Sequence, residues 1–560
     1  MHNNRITADC LGRPRNIGWK ILSLVFIFMV LLTPNRLSLI TPFAFAYFPL
    51  EALLLGLVLL VPGRAGRIIR GSASLLLAGG IIFKMADMGT YQAFERPFNP
   101  VLDSHFLADG MNLLQGVIGR IGAVIAVALM AALVAGIIVL TYVALGAAQT
   151  LLRAYYKASG TALLAGLLIW MTISFGGRHW VSTPFYDLMA LHITNTLSSL
   201  DDLKAFSAVV DSDPYAAMPD AALFDKLKGK DVLIVFIESY GRTALDKPDY
   251  ADHVRPVLEK GGADLAADGL YARSAYLTSP TYGGISWLAH GTLLSGLWIN
   301  SQTRYDRLVT STRPSLNRLF QRAGWRTVAV QPAHTMAWPQ GAYFGYDRIY
   351  AAQDLGYKGQ PFNWITMPDQ YTLSAFQSLE RKPGTRPPVM AEIALISSHA
   401  PWTPLPRRVD WNQVGDGAIF NQQTRDGDTP EAVWKNTGHI REQYRKSIEY
   451  ALANIVSYAI TYGDENLVIL VLGDHQPAPF VTGESESRDV PVHLISRDPK
   501  VMEAVQDWRW TEGMLPAANT PVWGMDDVRG RFIAAFSKPM PGYAGLDQAA
   551  FGNGGSHLAK

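Results

Sequence analysis

The stretch Val232–Ile237 reads VLIVFI and is followed at once by Glu238, Ser239, Tyr240 and Gly241. A continuous apolar run rich in β-branched residues describes a strand buried on both faces. Comparable runs recur at Thr327–Gln331, Val389–Ser397, Leu467–Leu472 (LVILVL) and Val490–Ile495. Polar, helix-compatible segments separate them. That alternation predicts an α/β domain with a mainly parallel central sheet and right-handed crossovers. The reading places this domain over residues 230–538 and a C-terminal tail over 539–560.

In open sheets of this kind, ligands and reacting groups collect beyond the carboxyl ends of the strands. Glu238 follows the first run, and Gly473-Asp474-His475-Gln476-Pro477 follows LVILVL. Ser398-His399-Ala400-Pro401-Trp402 follows the run that ends at Ser397. Singly, each is weak: a strand-end acid often caps a turn, and a lone histidine usually packs. Together they bring carboxylates and imidazoles to one rim, a set that suits Zn²⁺ or Mn²⁺, with Mg²⁺ a third candidate. A nucleophile is sought in Ser279–Gly296, where Pro280, Gly283 and Gly284 shape a turn and a helix-compatible run begins at Ser286. A hydroxyl at a helix N-terminus meets free N–H groups and the positive end of the dipole. The plainer alternative is an ordinary serine cap.

Outward from this domain the composition changes. The chain has 560 residues and only 17% are charged, against about a quarter in soluble proteins, so part of it is expected in lipid. The formal net charge of +2 excludes a broad electrostatic footprint for nucleic acid. The single cysteine, Cys10, excludes an internal disulfide, a thiolate cluster or a zinc finger. Five apolar stretches precede residue 180: Ile17–Thr33, Leu37–Val61, Ile68–Met88, Ile121–Ala147 and Gly160–Phe175. A bilayer core needs about 20 apolar helical residues, so these predict a bundle of about five transmembrane helices in a domain over 1–178. A juxtamembrane linker follows over 179–229.

Arg5, Arg13 and Arg15 precede the first stretch and Lys20 lies at its start, Arg64, Arg67 and Arg70 follow the second, and Arg153 and Lys157 precede the fifth. Basic loops stay cytoplasmic, so the N-terminus is expected inside. Five crossings then leave everything after Phe175 outside, in a multi-pass protein of a bacterial-type inner (plasma) membrane with a periplasmic or extracellular α/β domain. Glu51, Lys84 and Asp87 lie within the stretches. The plainer reading of Lys84 and Asp87 is snorkelling with an i,i+3 pair near the interface. No internal repeat argues for a transporter.

Residues 230–500 resemble the sulfatase/alkaline phosphatase superfamily, and within it the membrane-anchored branch of lipoteichoic acid synthases, glucan phosphoglycerol transferases and phosphoethanolamine transferases. The resemblance rests on the order strand-Glu238, Ser286 segment, His399 in S-H-A-P-W, then Gly473-Asp474-His475. It implies an alkaline-phosphatase-like fold and one divalent ion held by Glu238, Asp474, His475 and the nucleophile. Ser286 matches the nucleophile because Ser295 and Gly296 stand nine and ten positions on; the family usually has threonine there, and Thr281 and Ser279 are alternatives. His399 resembles the histidine that serves the phosphoryl group or its leaving oxygen. His334 and Trp338 resemble a substrate-contacting pair, although Gln340 stands where the synthases carry arginine.

Sulfatases that mature a Cys or Ser to formylglycine have Pro or Ala two positions on and Arg four positions on. Here Leu288 and His290 occupy those places. A single acid at the end of the first strand favours one metal over two. The implied activity is transfer of a phospholipid head group, phosphoglycerol or phosphoethanolamine, through a covalent serine intermediate to an exported glycan or glycolipid. The alternatives are a phosphodiesterase, phosphonate-type or sulfuric ester hydrolase using water, and a non-catalytic membrane sensor on the same fold.

Overall fold

The computed structural model describes residues 15–94, 96–104, 106–175, 181–336, 338–382, 384–483 and 487–539. Arg5, Cys10, Arg13 and almost all of the C-terminal tail lie outside this set. The chain divides into two compact units, residues 1–91 with 96–202, and residues 92–95 with 203–560.

In the first unit, helices form at all five apolar stretches, though not always over the expected lengths. They are α1 (Arg15–Leu32), α2 (Leu50–Leu59), α3 (Gly63–Phe94), α4 (Phe106–Ala154) and α5 (Tyr156–Phe175). Residues 63–94, 118–154 and 156–175 are long and apolar enough to cross a membrane, whereas 17–32 and 50–59 are shorter apolar helices. The single long helix expected over Leu37–Val61 is therefore corrected. Two 3₁₀ turns, Leu37–Leu39 and Pro42–Phe45, precede a helix that starts only after Pro49. Proline lacks the N–H an inner helical turn needs and clashes with the turn before it, so Pro42 and Pro49 sit at starts. Helix α4 breaks at Gly119, whose φ is +72°. The segment read as a linker carries α6 (Pro184–Val209).

The expected Lys84–Asp87 pair is also corrected. Lys84 donates to the carbonyls of Val30 and Leu31 at 2.7 and 3.0 Å. The Asp87 carboxylate accepts from Asn35 Nδ2 and from the Phe98 N–H at 2.7 and 2.8 Å, and stands 3.1 Å from His192 Nε2. Each finds other partners because both are buried, and a buried charge must be satisfied where it stands. Glu51 Oε1 takes the N–H groups of Phe185 and Tyr186, both at 2.9 Å, at the start of α6, where free N–H groups favour an acid.

The second unit is built on a nine-stranded sheet. Its strands are β1 (Asp231–Ile237), β2 (Tyr271–Thr278), β3 (Arg326–Gln331), β4 (Arg348–Ala351), β5 (Val389–Leu395), β6 (Leu467–Gly473), β7 (Asp489–Ser496), β8 (Thr511–Glu512) and β9 (Val522–Gly524). The order is β8-β2-β7-β6-β1-β5-β3-β4, with β9 beside β2. Strands β6, β1, β5, β3 and β4 are mutually parallel, and β7 is antiparallel to both neighbours. The five predicted strands are all present within a mainly parallel sheet.

Strand β1 is central and every residue of it is buried. Leu233, Val235 and Ile237 join one core with α7 (Pro248–Ala267) and α9 (Thr437–Tyr462). Val232, Ile234 and Phe236 join the other, with α8 (Ser286–Ser295). Burying each such side chain is worth about 1.5–3 kcal/mol, which is why β1 reads as unbroken apolar sequence. Strand alternation carries the same face from Phe236 to Glu238, towards α8.

Candidate active site

Strands β1 and β6 end side by side, with Ile237 in register with Gly473. A Cβ on Gly473 would lie 1.9 Å from the Tyr240 carbonyl oxygen, so only glycine lets the two strand ends approach this closely. The next residues are Glu238 on one strand and Asp474 and His475 on the other. Metal-binding atoms of these three lie within 4.8 Å of one another.

Local hydrogen bonds fix each group. Asp474 Oδ1 accepts from the N–H groups of Ser239 and His475, both at 2.7 Å. His475 Nδ1 lies 2.8 Å from the Gln476 carbonyl oxygen. A carbonyl only accepts, so Nδ1 carries the proton and Nε2 faces the site. His475 Nε2 stands 3.2 Å from Glu238 Oε1. Ser398 Oγ donates to the Glu238 carbonyl at 2.6 Å and ties the β5 end to the same rim.

Ser286 is the first residue of α8. Its hydroxyl donates to Glu238 Oε2 at 3.0 Å, and His475 Nε2 lies 3.2 Å away. Ile285 before it has φ +64°, and Ser239 after Glu238 has φ +58°. For a β-branched residue this is a true outlier. Such conformations cost about 1–3 kcal/mol each and gather at functional sites. The alternative hydroxyls face elsewhere: Ser279 Oγ donates to the Asp474 carbonyl and Thr281 Oγ1 to the Gly284 carbonyl, both at 2.6 Å.

The electrostatics are those of charges pressed together. Burial acts to raise the Glu238 carboxyl, but the adjacent His475 outweighs it and holds the group well below the usual range. Burial and the Glu238 charge push Asp474 up to about 6. Burial opposes a charged His475, yet Asp474 and Glu238 raise it to about 9. Two carboxylates and an imidazole compensated mainly by one another are a donor set that fits a divalent cation.

A cavity of 260 Å³ opens on Glu238, Ser286 and Asp474, and His334, Trp338 and His399 line it too. His334 and Trp338 meet edge to face, their ring centroids 4.9 Å apart. His399 is exposed, with Nδ1 2.5 Å from the Ala400 carbonyl oxygen. The structure thus brings all seven residues singled out in the sequence to one site.

The sulfatase family model matches residues 230–495. This stretch is a domain of the sulfatase/alkaline phosphatase superfamily. No curated protein matches the chain. Among solved structures it is similar to the lipoteichoic acid synthase LtaP from Listeria monocytogenes, at 14% identity over 60% of this chain and 78% of that one, TM-score 0.38. It is similar to the Streptococcus pyogenes phosphoglycerol transferase GacH at 13% identity over 64% and 85%, TM-score 0.39. It is also similar to the periplasmic domain of EptC from Escherichia coli at 15% identity over 56% and 84%, TM-score 0.36.

Two residues of the sulfatase-family domain's cavity escaped the sequence reading, His290 and Glu392. His290 stands four positions after Ser286, hence on the same helical face. Glu392 is the one charge within the apolar β5 sequence VMAEIAL. Those two signals, a helical spacing and a carboxylate inside a buried strand, were available in the sequence.

Proposed function

We propose that the protein is a multi-pass enzyme of a bacterial-type inner membrane whose sulfatase-family domain lies outside the cytoplasm. It moves a phospholipid head group, phosphoglycerol or phosphoethanolamine, through a covalent Ser286 intermediate to an exported glycan or glycolipid. The observation that carries this reading is the Ser286 hydroxyl, held at a helix start within hydrogen-bond reach of Glu238 and His475.

Glu238, Asp474, His475 and the Ser286 hydroxyl would hold one divalent ion, Mn²⁺ or Zn²⁺. Such an ion lowers the pKa of a bound hydroxyl and polarises a phosphoryl oxygen. The chain's own groups do the rest. The Ser286 proton has an acceptor in reach, Glu238 Oε2, whereas the lone pair of His475 Nε2 is the one that would hold the ion. Free N–H groups in the first turn of α8 face the anionic phosphoryl group. Ser286 Oγ attacks phosphorus, the bond to the diacylglycerol oxygen breaks, and His399 gives that oxygen a proton. His399 then takes the proton of the acceptor hydroxyl as that oxygen displaces Ser286. His334 and Trp338 contact the head group.

The test uses the full-length protein loaded with Mn²⁺ and vesicles of phosphatidylethanolamine or phosphatidylglycerol. Release of diacylglycerol is expected, and it should disappear with Ser286→Ala. Release at the same rate with and without a glycan acceptor, with the head group found free in solution, would replace the transferase by a phosphodiesterase.

A further inference from the structure

Beyond the metal-ligand set, the cavity has a second polar wall. Glu392 lies within β5 and is 1% exposed. Its Oε1 stands 2.5 Å from His290 Nδ1 and accepts from Gln331 Nε2 at 3.4 Å. Its Oε2 is buried and has no hydrogen-bond partner in the protein, and the same holds for His334 Nδ1. Burial first, and the nearby His290 second, push the His334 ring below its ordinary value, so at neutral pH it is uncharged and keeps one accepting nitrogen.

A buried carboxylate oxygen without a donor costs free energy. Three features say what would satisfy it. The wall offers acceptors: a carboxylate oxygen and a ring nitrogen. None of the described residues lining the cavity is Lys or Arg, so no lysine or arginine stands opposite a further carboxylate. The remaining surfaces are aromatic, with Phe236 stacked on His290 at 3.8 Å between centroids and Trp338 against His334. Such faces suit short CH₂ chains and ammonium groups.

We propose that Glu392, positioned by His290 and Gln331 and assisted by His334, is the subsite for the far end of the transferred head group. It selects a short head group ending in an N–H or O–H donor over one ending in a quaternary ammonium or carrying an added carboxylate. This rests on the lipid-donor reading above. Ethanolamine and glycerol share the required chemistry. Choline has no N–H to give to Glu392 Oε2, and serine brings a carboxylate against it. A site built to receive a hydrogen bond rejects an analogue that cannot make it, because its own buried group is left unpaired.

The experiment compares diacylglycerol release by the full-length, Mn²⁺-loaded protein from vesicles of phosphatidylethanolamine, phosphatidylglycerol, phosphatidylcholine and phosphatidylserine, with bis(p-nitrophenyl) phosphate as a diester lacking any head group. Either the ethanolamine or the glycerol lipid should exceed the choline and serine lipids by at least about tenfold, and which of the two leads distinguishes the sources. Glu392→Gln should reduce that ratio at least threefold. The ratio is taken within one preparation, so loss of folded protein cancels. Equal rates for all four lipids in the wild type, or an unchanged ratio in Glu392→Gln, would overturn the subsite and leave the lipid-donor reading standing. Cleavage of bis(p-nitrophenyl) phosphate with no lipid consumed would overturn that reading, and this assignment with it.

Discussion

Two buried charge clusters of the same domain behave in opposite ways. Asp213 and Arg529 are almost fully buried and face each other squarely, Arg529 donating from its two terminal nitrogens to the two carboxylate oxygens at 3.0 and 2.7 Å. The Asp213 carboxyl is held below its ordinary value because the arginine outweighs the burial that opposes it. At the sheet rim, Glu238 and Asp474 repel each other, and His475 Nε2 stands 3.2 and 3.6 Å from them. There Asp474 is raised to about 6 and His475 to about 9. In the first cluster each carboxylate oxygen of Asp213 has an arginine donor, and Arg313 adds a second cation at 3.8 Å. The second is a donor set that fits a cation, and the Ser286 hydroxyl stands beside it.

The comparison breaks first at Ser286. Ser286→Ala should lower lipid turnover by about 10⁴-fold or more and leave thermal stability within about 0.5 kcal/mol, measured by diacylglycerol release and denaturant unfolding. Next come the ligands. Asp474→Asn and His475→Ala should each weaken metal binding at least about 100-fold, read by metal analysis after gel filtration. In metal-free protein, Asp474→Asn should be neutral or stabilising at pH 7.5. A carboxyl whose folded pKa lies above its unfolded value loses stability as pH rises through that interval, and the amide removes the effect. Asp213→Ala should do the reverse: about 3–5 kcal/mol of stability lost by leaving Arg529 unpaired, with metal affinity retained in the molecules that remain folded. Equal stability losses for both substitutions would erase the distinction.

The sequence carried the fold well because β1, β5 and β6 are buried on both faces and so read as unbroken apolar runs. The clustering of Glu238, Asp474 and His475 was legible for the same reason, since the β1 and β6 runs lead directly to them. It was less informative where a residue's role depends on what lies across from it. Lys84 and Asp87 are three positions apart, yet most of their partners, Leu31 and His192 among them, are more than fifty residues away in sequence. Glu392 was hidden by the strand pattern that revealed Glu238. Leu37–Val61 has enough apolar residues for a span, but proline decided where its helix could begin.

A pH series sharpens the contrast more gently. Metal must displace the proton that His475 holds with a pKa near 9. Affinity should therefore rise with pH from about 6 to 9, by up to about tenfold per unit, with proton release on binding seen by calorimetry in two buffers. A flat profile would remove His475 from the ligand set. The smallest effect is expected at Thr281. Thr281→Ala deletes a hydrogen bond to the Gly284 carbonyl and should cost less than about tenfold in activity, through the turn before Ser286.

The most direct measurement is mass spectrometry of the protein trapped by acid after incubation with its lipid donor. A phosphoethanolamine or phosphoglycerol adduct on the peptide holding Ser286, absent in Ser286→Ala, is the result predicted here. An adduct on Thr281 or Ser279, or donor consumed with no adduct on any residue in Ser279–Gly296, would contradict it.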